Sequence, residues 1–331
     1  MEKLSMNEPL IENESINESP KKKSRIKSFS WKSTWAQMKK HYQIYLLLLP
    51  TLIYVFIYNY MPMYGVQIAF RDYSPKKGIL DSTWVGLKYF SKFFESYRFE
   101  QLLSNTLILS LMTLIISFPI PIIIALMLNQ VKSKKYASFI QTVLYAPNFI
   151  TVVVLVGMMS VLLSPSTGVV NLIIQKFGGD PVHFMGEHVW FRWLYVLSGV
   201  WQTTGFNAII YLGALAGVPT ELYEAAKIDG ASRLETIINV DLPCIKPMII
   251  TMFILAVGGL MNVGFEKVLI MQNDLNRTVA DVIPTYVYDI GITQAQYSYS
   301  TAIGLFNTVI NAILLVLANI FSKKTTGEGI W

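Results

Sequence analysis

The chain has 331 residues, 53% hydrophobic and only 15% charged, with a net charge of +6. Soluble domains carry about 25% charge, so this composition excludes a chain that faces water over most of its surface. The single cysteine, Cys244, excludes an internal disulfide and a cysteine-built metal site.

Residues 1–30 are polar, with repeated Asn-Glu and a Lys21-Lys22-Lys23 run, and are expected to form a disordered tail. In residues 31–41, Trp31 and Trp35 stand four apart beside lysines, which predicts a short amphipathic helix on the membrane surface. The first apolar run begins only near residue 42. A secretory signal has a short basic end and a shorter apolar core, so this run reads as a retained anchor. Six long runs, uncharged but for Lys176 near the end of the third, stand in order: Ile44–Met63, Gln101–Val131, Tyr136–Phe177, Trp193–Thr220, Pro247–Phe265 and Gln294–Ser322. A membrane helix needs about 20 mostly apolar residues, so each run predicts one crossing. Pro50, Pro119, Pro121 and Pro147 predict kinks within them. Gly213 with Gly217, and Gly258 with Gly259, predict close approach of helices.

With the N-terminus inside, the inner segments collect most of the 27 basic residues, including Lys132, Lys134 and Lys135 in one very short loop. That bias predicts both termini in the cytoplasm. Arg71, Lys76 and Lys77 in the first outer loop run against it. The expected organisation is a basic tail over 1–40, a six-helix domain over 41–322, and a short tail over 323–331. The fold class is all-α.

The longest polar inner loop, 218–247, is the most informative segment. Pro219 and Thr220 predict a helix start, with Thr220 as N-cap and Glu221 near the positive helix end. Gly230 predicts its left-handed stop. Ser232, with Glu235 three residues on, predicts a second start by a capping box. Pro243 is expected to end that second helix. Ala225 and Ala226 leave one face bare enough for another protein to come close.

This loop resembles the signature of permease subunits of binding-protein-dependent ABC importers. That signature is Glu-Ala-Ala, three residues, Gly, nine residues, Ile, one residue, Leu-Pro. Glu224, Ala225, Ala226, Gly230, Val240, Leu242 and Pro243 match it in spacing, and Val240 for Ile is the only departure. NYMPMYGVQIAFRDY (Asn59–Tyr73), GFEKVLIMQN (Gly264–Asn273), ADVIPTYVYDIG (Ala280–Gly291) and the C-terminal GEGIW are similar to the carbohydrate branch, and within it to the LplB-like permeases of complex oligosaccharides. The resemblance implies the type I importer permease fold of six crossings in the bacterial plasma membrane. It implies that the loop is a coupling helix seated on an ATPase subunit. Glu224 would pair with that subunit, Ala225 and Ala226 would allow close contact, and Gly230, with Asp229 beside it, would make the turn. Leu242 and Pro243 would anchor the loop to crossing five. The implied partners are a second, similar permease in a heterodimer, ABC ATPase subunits that hold ATP and Mg, and an extracytoplasmic solute-binding protein.

The chain has no G-x-x-x-x-G-K-[ST] phosphate loop, no G-x-S-x-G elbow and no H-E-x-x-H, so neither its own ATPase nor another catalytic site is expected. His183, Glu187 and His188 read as a solvated outer loop rather than a metal site, and the basic charge as membrane topology rather than nucleic-acid binding. Glu266 and Lys267 read as the water boundary of crossing five. A sugar needs amide or carboxylate partners and aromatic platforms. Trp201, Gln202, Asn207, Asn262, Glu266, Tyr286 and Asn307 are the pathway candidates, with Tyr288 beside the outer mouth. The rival readings are an ion-coupled carrier, a membrane-embedded enzyme, or an ABC permease for a solute other than sugar.

Overall fold

A computed structural model describes residues 39–40 and 42–331. The polar tail, the surface helix with Trp31 and Trp35, and His41 lie outside the described residues. The chain divides into two units, Met1–Pro62 and Met63–Trp331. In the first, α1 (Tyr42–Val55) carries Pro50 inside it and passes into a wider π turn, Phe56–Tyr60.

The second unit opens in a 3-10 segment and is helical as expected, apart from one short hairpin. Strands β1 (Arg71–Ser74) and β2 (Gly78–Trp84) pair antiparallel where a plain loop was predicted. Gly78, at φ +73°, supplies the left-handed turn residue. The Arg71 guanidinium, the basic group that ran against the charge bias, donates to the Leu80 and Ser82 carbonyls at 2.8 and 2.9 Å. The remaining elements are helical: α2 (Lys88–Phe94), α3 (Phe99–Ser117), α4 (Pro119–Asn129), α5 (Lys134–Tyr145), α6 (Val152–Leu162), α7 (Val169–Lys176), α8 (His188–Leu215), α9 (Thr220–Ile228), α10 (Arg233–Thr236), α11 (Leu242–Gly258), α12 (Phe265–Met271), α13 (Arg277–Ala280), α14 (Ile283–Tyr288) and α15 (Tyr297–Thr326).

Among the described residues, four helical stretches are long and apolar enough to cross a membrane: Tyr42–Phe70, Phe99–Asn129, Arg233–Gly258 and Tyr297–Thr326. The third predicted run is a broken pair, Lys134–Phe149 and Val152–Leu162, bent by 94°. Pro147 sits in the 3-10 turn at that break, where a proline removes no needed hydrogen bond. The fourth predicted run is α8, with 28 residues. At about 1.5 Å per residue it is long enough to span, but Gln202, Thr203, Thr204 and Asn207 make it less apolar than the others. Pro119 and Pro121 open α4 rather than kinking a helix interior.

Helix α8 is the hub of the core. One cluster joins its Phe191, Tyr195 and Val196 to Leu109 of α3, Leu155 and Met159 of α6, and Val268 of α12. Another joins its Ala208, Tyr211 and Leu215 to Ile122 and Leu126 of α4 and Ile245 of α11. A third, without α8, gathers Phe93, Leu102, Tyr286, Tyr299 and Ile303. The helix approach expected at Gly213 and Gly217 is not made within this chain. A Cβ on Gly213 would meet nothing within 4 Å, and one on Gly217 only its own helix. Close packing falls at Gly258, as expected, against Leu315, and at Gly205, which was not expected, against the Leu144 backbone carbonyl. A GxxxG spacing marks a smooth strip on a helix, but which strip is used depends on where the neighbours lie. The last helix also runs past residue 322 to Thr326. Gly327 caps it at φ +76°, and the tail folds back so that the Ile330 amide donates to Asn319 Oδ1 at 2.7 Å.

Gly205→Ala must push a methyl into the Leu144 carbonyl. We expect it to lower stability in detergent by about 1–3 kcal/mol, read as a drop in thermal midpoint. Gly213→Ala should leave that midpoint in place.

Candidate functional site

The segment 218–247 folds largely as its capping residues dictate. Helix α9 begins at Thr220, with Pro219 in the extended cap position. Thr220 is therefore the first helical residue and not the N-cap, because proline's fixed φ already sets the entry. Glu221 lies in the first turn and Lys227 in the last, each suited to the helix dipole. Gly230, at φ +77°, ends the helix. The Ala231 amide reaches back to the Ala226 carbonyl at 2.9 Å, and the Gly230 amide to Lys227 at 3.2 Å, which is a Schellman stop. Asp229 is the exposed C-cap residue. Ser232 then forms the capping box. Its Oγ accepts from the Glu235 amide at 3.3 Å, and its own amide donates to Glu235 Oε2 at 2.6 Å.

Pro243 does not end the second helix. Helix α10 passes through a π turn, Ile237–Asp241, straight into α11. A proline ring clashes with the carbonyl four residues back. The wider turn relieves the crowding, and the Leu242 amide donates to Ile237 O. Leu242 and Ile237 pack on the core of α4 and α8, and Val240 is half-buried. No residue of α9 is buried. Glu224 and Ala225 are exposed, Ala226 is half-exposed, and Ile228 is 86% exposed. Among the described residues Glu224 has no ion-pair partner.

Sequence reasoning passed over one group at the base of this segment. Asp241 is fully buried. Its carboxylate accepts from Tyr223 Oη of α9 at 2.6 Å, from Asn129 Nδ2 at the end of α4 at 3.2 Å, and from Gln130 Nε2 at 2.9 Å. Burial first, and then this bond, push the Tyr223 phenol up to about 12. The available signal was a lone acid just before Leu-Pro in an otherwise apolar stretch.

A cavity of about 360 Å³ opens between α3, α8, α11 and the break after α11. Ser110, Thr113 and Ser117 line one wall, Tyr195, Asn207 and Tyr211 another, and Met252, Ala256, Asn262 and Gly264 a third. Two pathway candidates, Asn207 and Asn262, meet here. Asn262 Oδ1 accepts from Asn311 at 3.0 Å and from Asn307 at 3.4 Å, so Asn307 stands behind it. The other candidates are placed elsewhere. Gln202 is buried and donates to the Ile150 carbonyl at 2.7 Å, holding the broken pair. Trp201 and Glu266 are exposed outside the cavity. Tyr286 and Tyr288 line a separate pocket of about 140 Å³ with Arg98, Arg277 and Asp281. Burial raises the Asp281 carboxyl, against the pull of Arg277 and Arg98 at 3.5 Å each. His188 Nδ1 lies 3.0 Å from Thr278 Oγ1.

Lys267 does not mark a water boundary. It is only 7% exposed, and its ammonium donates to the Tyr195 carbonyl at 2.8 Å and lies 4.8 Å from the Tyr195 ring centre. The short helix α12 turns inward, so its one basic group is carried into the core beside the cavity wall. Tyr195 also accepts from the Gly264 amide at 2.9 Å. Tyr195, Tyr211 and the α3 hydroxyls were missed because a tyrosine or serine in an apolar run has no sequence feature that marks it as facing a cavity.

Broken apolar helices around a cavity of mixed amide, hydroxyl and apolar lining, with an exposed and cleanly capped helix pair in the same chain, fit a membrane transport subunit. Residues 105–327 match the family described as the binding-protein-dependent transport system inner membrane component, and the chain belongs to that family. It is 45% identical to Protein LplB of Bacillus subtilis (strain 168), over 92% of this chain and 95% of the relative. It is also 45% identical to the polygalacturonan/rhamnogalacturonan transport system permease protein YteP of the same organism, over 87% and 90%. Among solved structures it matches a chain of a bacterial alginate ABC transporter, in complex with an alginate pentasaccharide-bound periplasmic protein. The TM-score is 0.81 and the identity 38%, covering 89% of this chain and 99% of that one.

Ser232→Ala removes the Oγ that accepts from the Glu235 amide and leaves only the backbone half of the capping box. We expect the amides of 233–238 to exchange with deuterium faster, by an amount equivalent to about 1 kcal/mol, while α11 beyond Ile245 keeps its protection.

Proposed function

We propose that this chain is the membrane-spanning subunit of an ATP-driven oligosaccharide importer, moved by an ATPase that it does not itself contain. The observation that carries this reading is the segment Thr220–Pro243. It is an exposed helix with an unpaired carboxylate, small residues and a glycine stop, followed by a second helix continuous with crossing five. A rigid handle of this kind passes displacement on, because a π turn and not a loose loop connects it to the membrane helix. In this reading Glu224 pairs with the ATPase, Ala225, Ala226 and Asp229 lie at the contact, and Gly230 fixes the turn. Val240, Leu242 and Pro243 seat the handle on the bundle.

The handle then faces the cytoplasm, as do both termini. ATP and Mg are bound by the separate subunit. A second, homologous permease stands against this one, and a solute-binding protein delivers the sugar from outside. The cavity supports a sugar as cargo. Asn207 and Asn262 offer amides for hydroxyls, and the Tyr195 and Tyr211 rings offer flat apolar surfaces beside them. The names of YteP and of the alginate transporter point the same way, toward chains of sugar units rather than single sugars.

The test is Glu224→Gln in the assembled complex. Uptake, followed as growth on a digest of polygalacturonan and, separately, on neutral oligosaccharides, should fall by about tenfold or more, a coupling loss of ordinary size between two sites. Membrane insertion and yield should stay as they were. Uptake that survives removal of the ATPase subunit sinks the reading.

A further inference from the structure

The buried Asp241 has no role in the handle's contact with an ATPase, yet it is the most expensive group near it. A carboxylate at zero exposure is tolerated only when its lone pairs are satisfied, and among the described residues no cation lies within ion-pair distance of it. Three neutral donors do the work: Tyr223 Oη at 2.6 Å, Gln130 Nε2 at 2.9 Å and Asn129 Nδ2 at 3.2 Å. Asn129 Nδ2 also donates to Tyr223 Oη at 3.2 Å, which closes a ring of polar contacts. These groups come from three different elements. Tyr223 precedes Glu224 on α9. Asn129 and Gln130 end the second crossing. Asp241 closes the π turn from which the fifth crossing starts.

The alternative of a merely well-packed corner is weak on energetic grounds. Burial of leucine or methionine there would fill the same space without a charge to satisfy, and buried polar groups are often replaceable by apolar ones at no loss of stability. What the charge adds is direction. Charge-assisted hydrogen bonds are short and oriented, so α9 cannot rotate or slide without dragging the ends of crossings two and five or leaving a carboxylate bare. Leu126, Leu215 and Ile245 lie buried in the same core cluster and make the corner stiff.

We infer that Asp241 and Tyr223 form a clasp that positions the coupling helix and transmits its movement to crossings two and five together. The inference rests on the importer reading above. Asp241 is a positioning residue, since it touches neither sugar nor nucleotide.

Cys244 supplies a local reporter. It is the chain's single cysteine, it is exposed, and it lies on α11 just beyond Pro243. The experiment takes the whole complex, with ATPase and second permease, and labels Cys244 with a fluorescent maleimide, quantified by peptide mass spectrometry. Labelling is compared in nucleotide-free complex and in complex trapped with ATP, Mg and vanadate. In the unchanged protein, trapping should alter the labelling rate. In Tyr223→Phe and in Asp241→Asn, that change, taken per ATP hydrolysed, should fall by about fivefold or more, the low end of coupling between sites. Tyr223→Phe removes a single oxygen from a half-buried ring, so it keeps the test open where Asp241→Asn fails to assemble. A double variant no worse than either single one supports one shared device. If trapping leaves Cys244 unaltered in the unchanged complex, or if Tyr223→Phe retains the full response, the clasp is refuted. A purified complex with no nucleotide-binding subunit refutes the importer reading first, and the clasp falls with it.

Discussion

The structure depends on one constraint: a backbone amide or carbonyl away from water must find a partner inside the protein. An unbroken membrane helix meets it by itself. This chain breaks its helices repeatedly, and several of the breaks are met by a side chain from another element. Where α11 stops, the Met261 amide donates to Asn311 Oδ1 at 2.9 Å, and the Gly264 amide to Tyr195 Oη at 2.9 Å. Where the third run bends, Gln202 takes the Ile150 carbonyl. Where α14 starts, the Ile283 amide donates to Thr106 Oγ1 at 3.0 Å, and Asn105 Nδ2 takes the Thr278 and Asp281 carbonyls. Gln202, Asn311, Tyr195, Thr106 and Asn105, polar residues in apolar runs, are therefore sutures for broken helices.

That constraint explains why the sequence was legible at one scale and opaque at another. Long apolar runs report thickness, so four of the six appear as helical stretches long enough to span, the third as a bent pair and the fourth within the less apolar α8. Local capping chemistry was equally readable. Gly230 and the Ser232–Glu235 box involve residues a few positions apart, and both took the expected form. What resisted reading depends on distant partners. Gln202 and Asn307 looked like sugar ligands because an amide in a membrane helix is rare, yet Gln202 is spent on a carbonyl 52 residues away and Asn307 stands behind Asn262. Lys267 next to Glu266 looked like an interface pair. The inward turn of α12, invisible in composition, separates the two and buries only the lysine.

Proline was misjudged for a related reason. Pro243 was expected to stop a helix because its ring and missing amide disrupt the ordinary ladder. A helix that widens for one turn absorbs the same disruption without stopping, and the cost is lower when the carbonyl freed by the widening lies near other groups. The π turn Ile237–Asp241 is such a solution. Its consequence is mechanical. A break at Pro243 would have left the segment Thr220–Thr236 on a flexible joint, whereas the π turn joins α10 directly to α11.

Continuity alone would still allow the segment to twist about the helix axis. A single helix resists stretching better than it resists torsion at a widened turn, where the hydrogen bonds are longer-spaced and fewer side chains stack. The carboxylate of Asp241 sits at that weakest turn and is tied sideways to two other elements at once. In the proposed role, a displacement applied at α9 would reach the bundle along two crossings with a fixed ratio between them, instead of being lost as rotation of one. For a cavity walled by α3, α8 and α11, that distinction matters. Moving α11 alone would shear one wall, while moving α11 with α4, the continuation of α3, shifts opposite walls in register and changes the size of the opening.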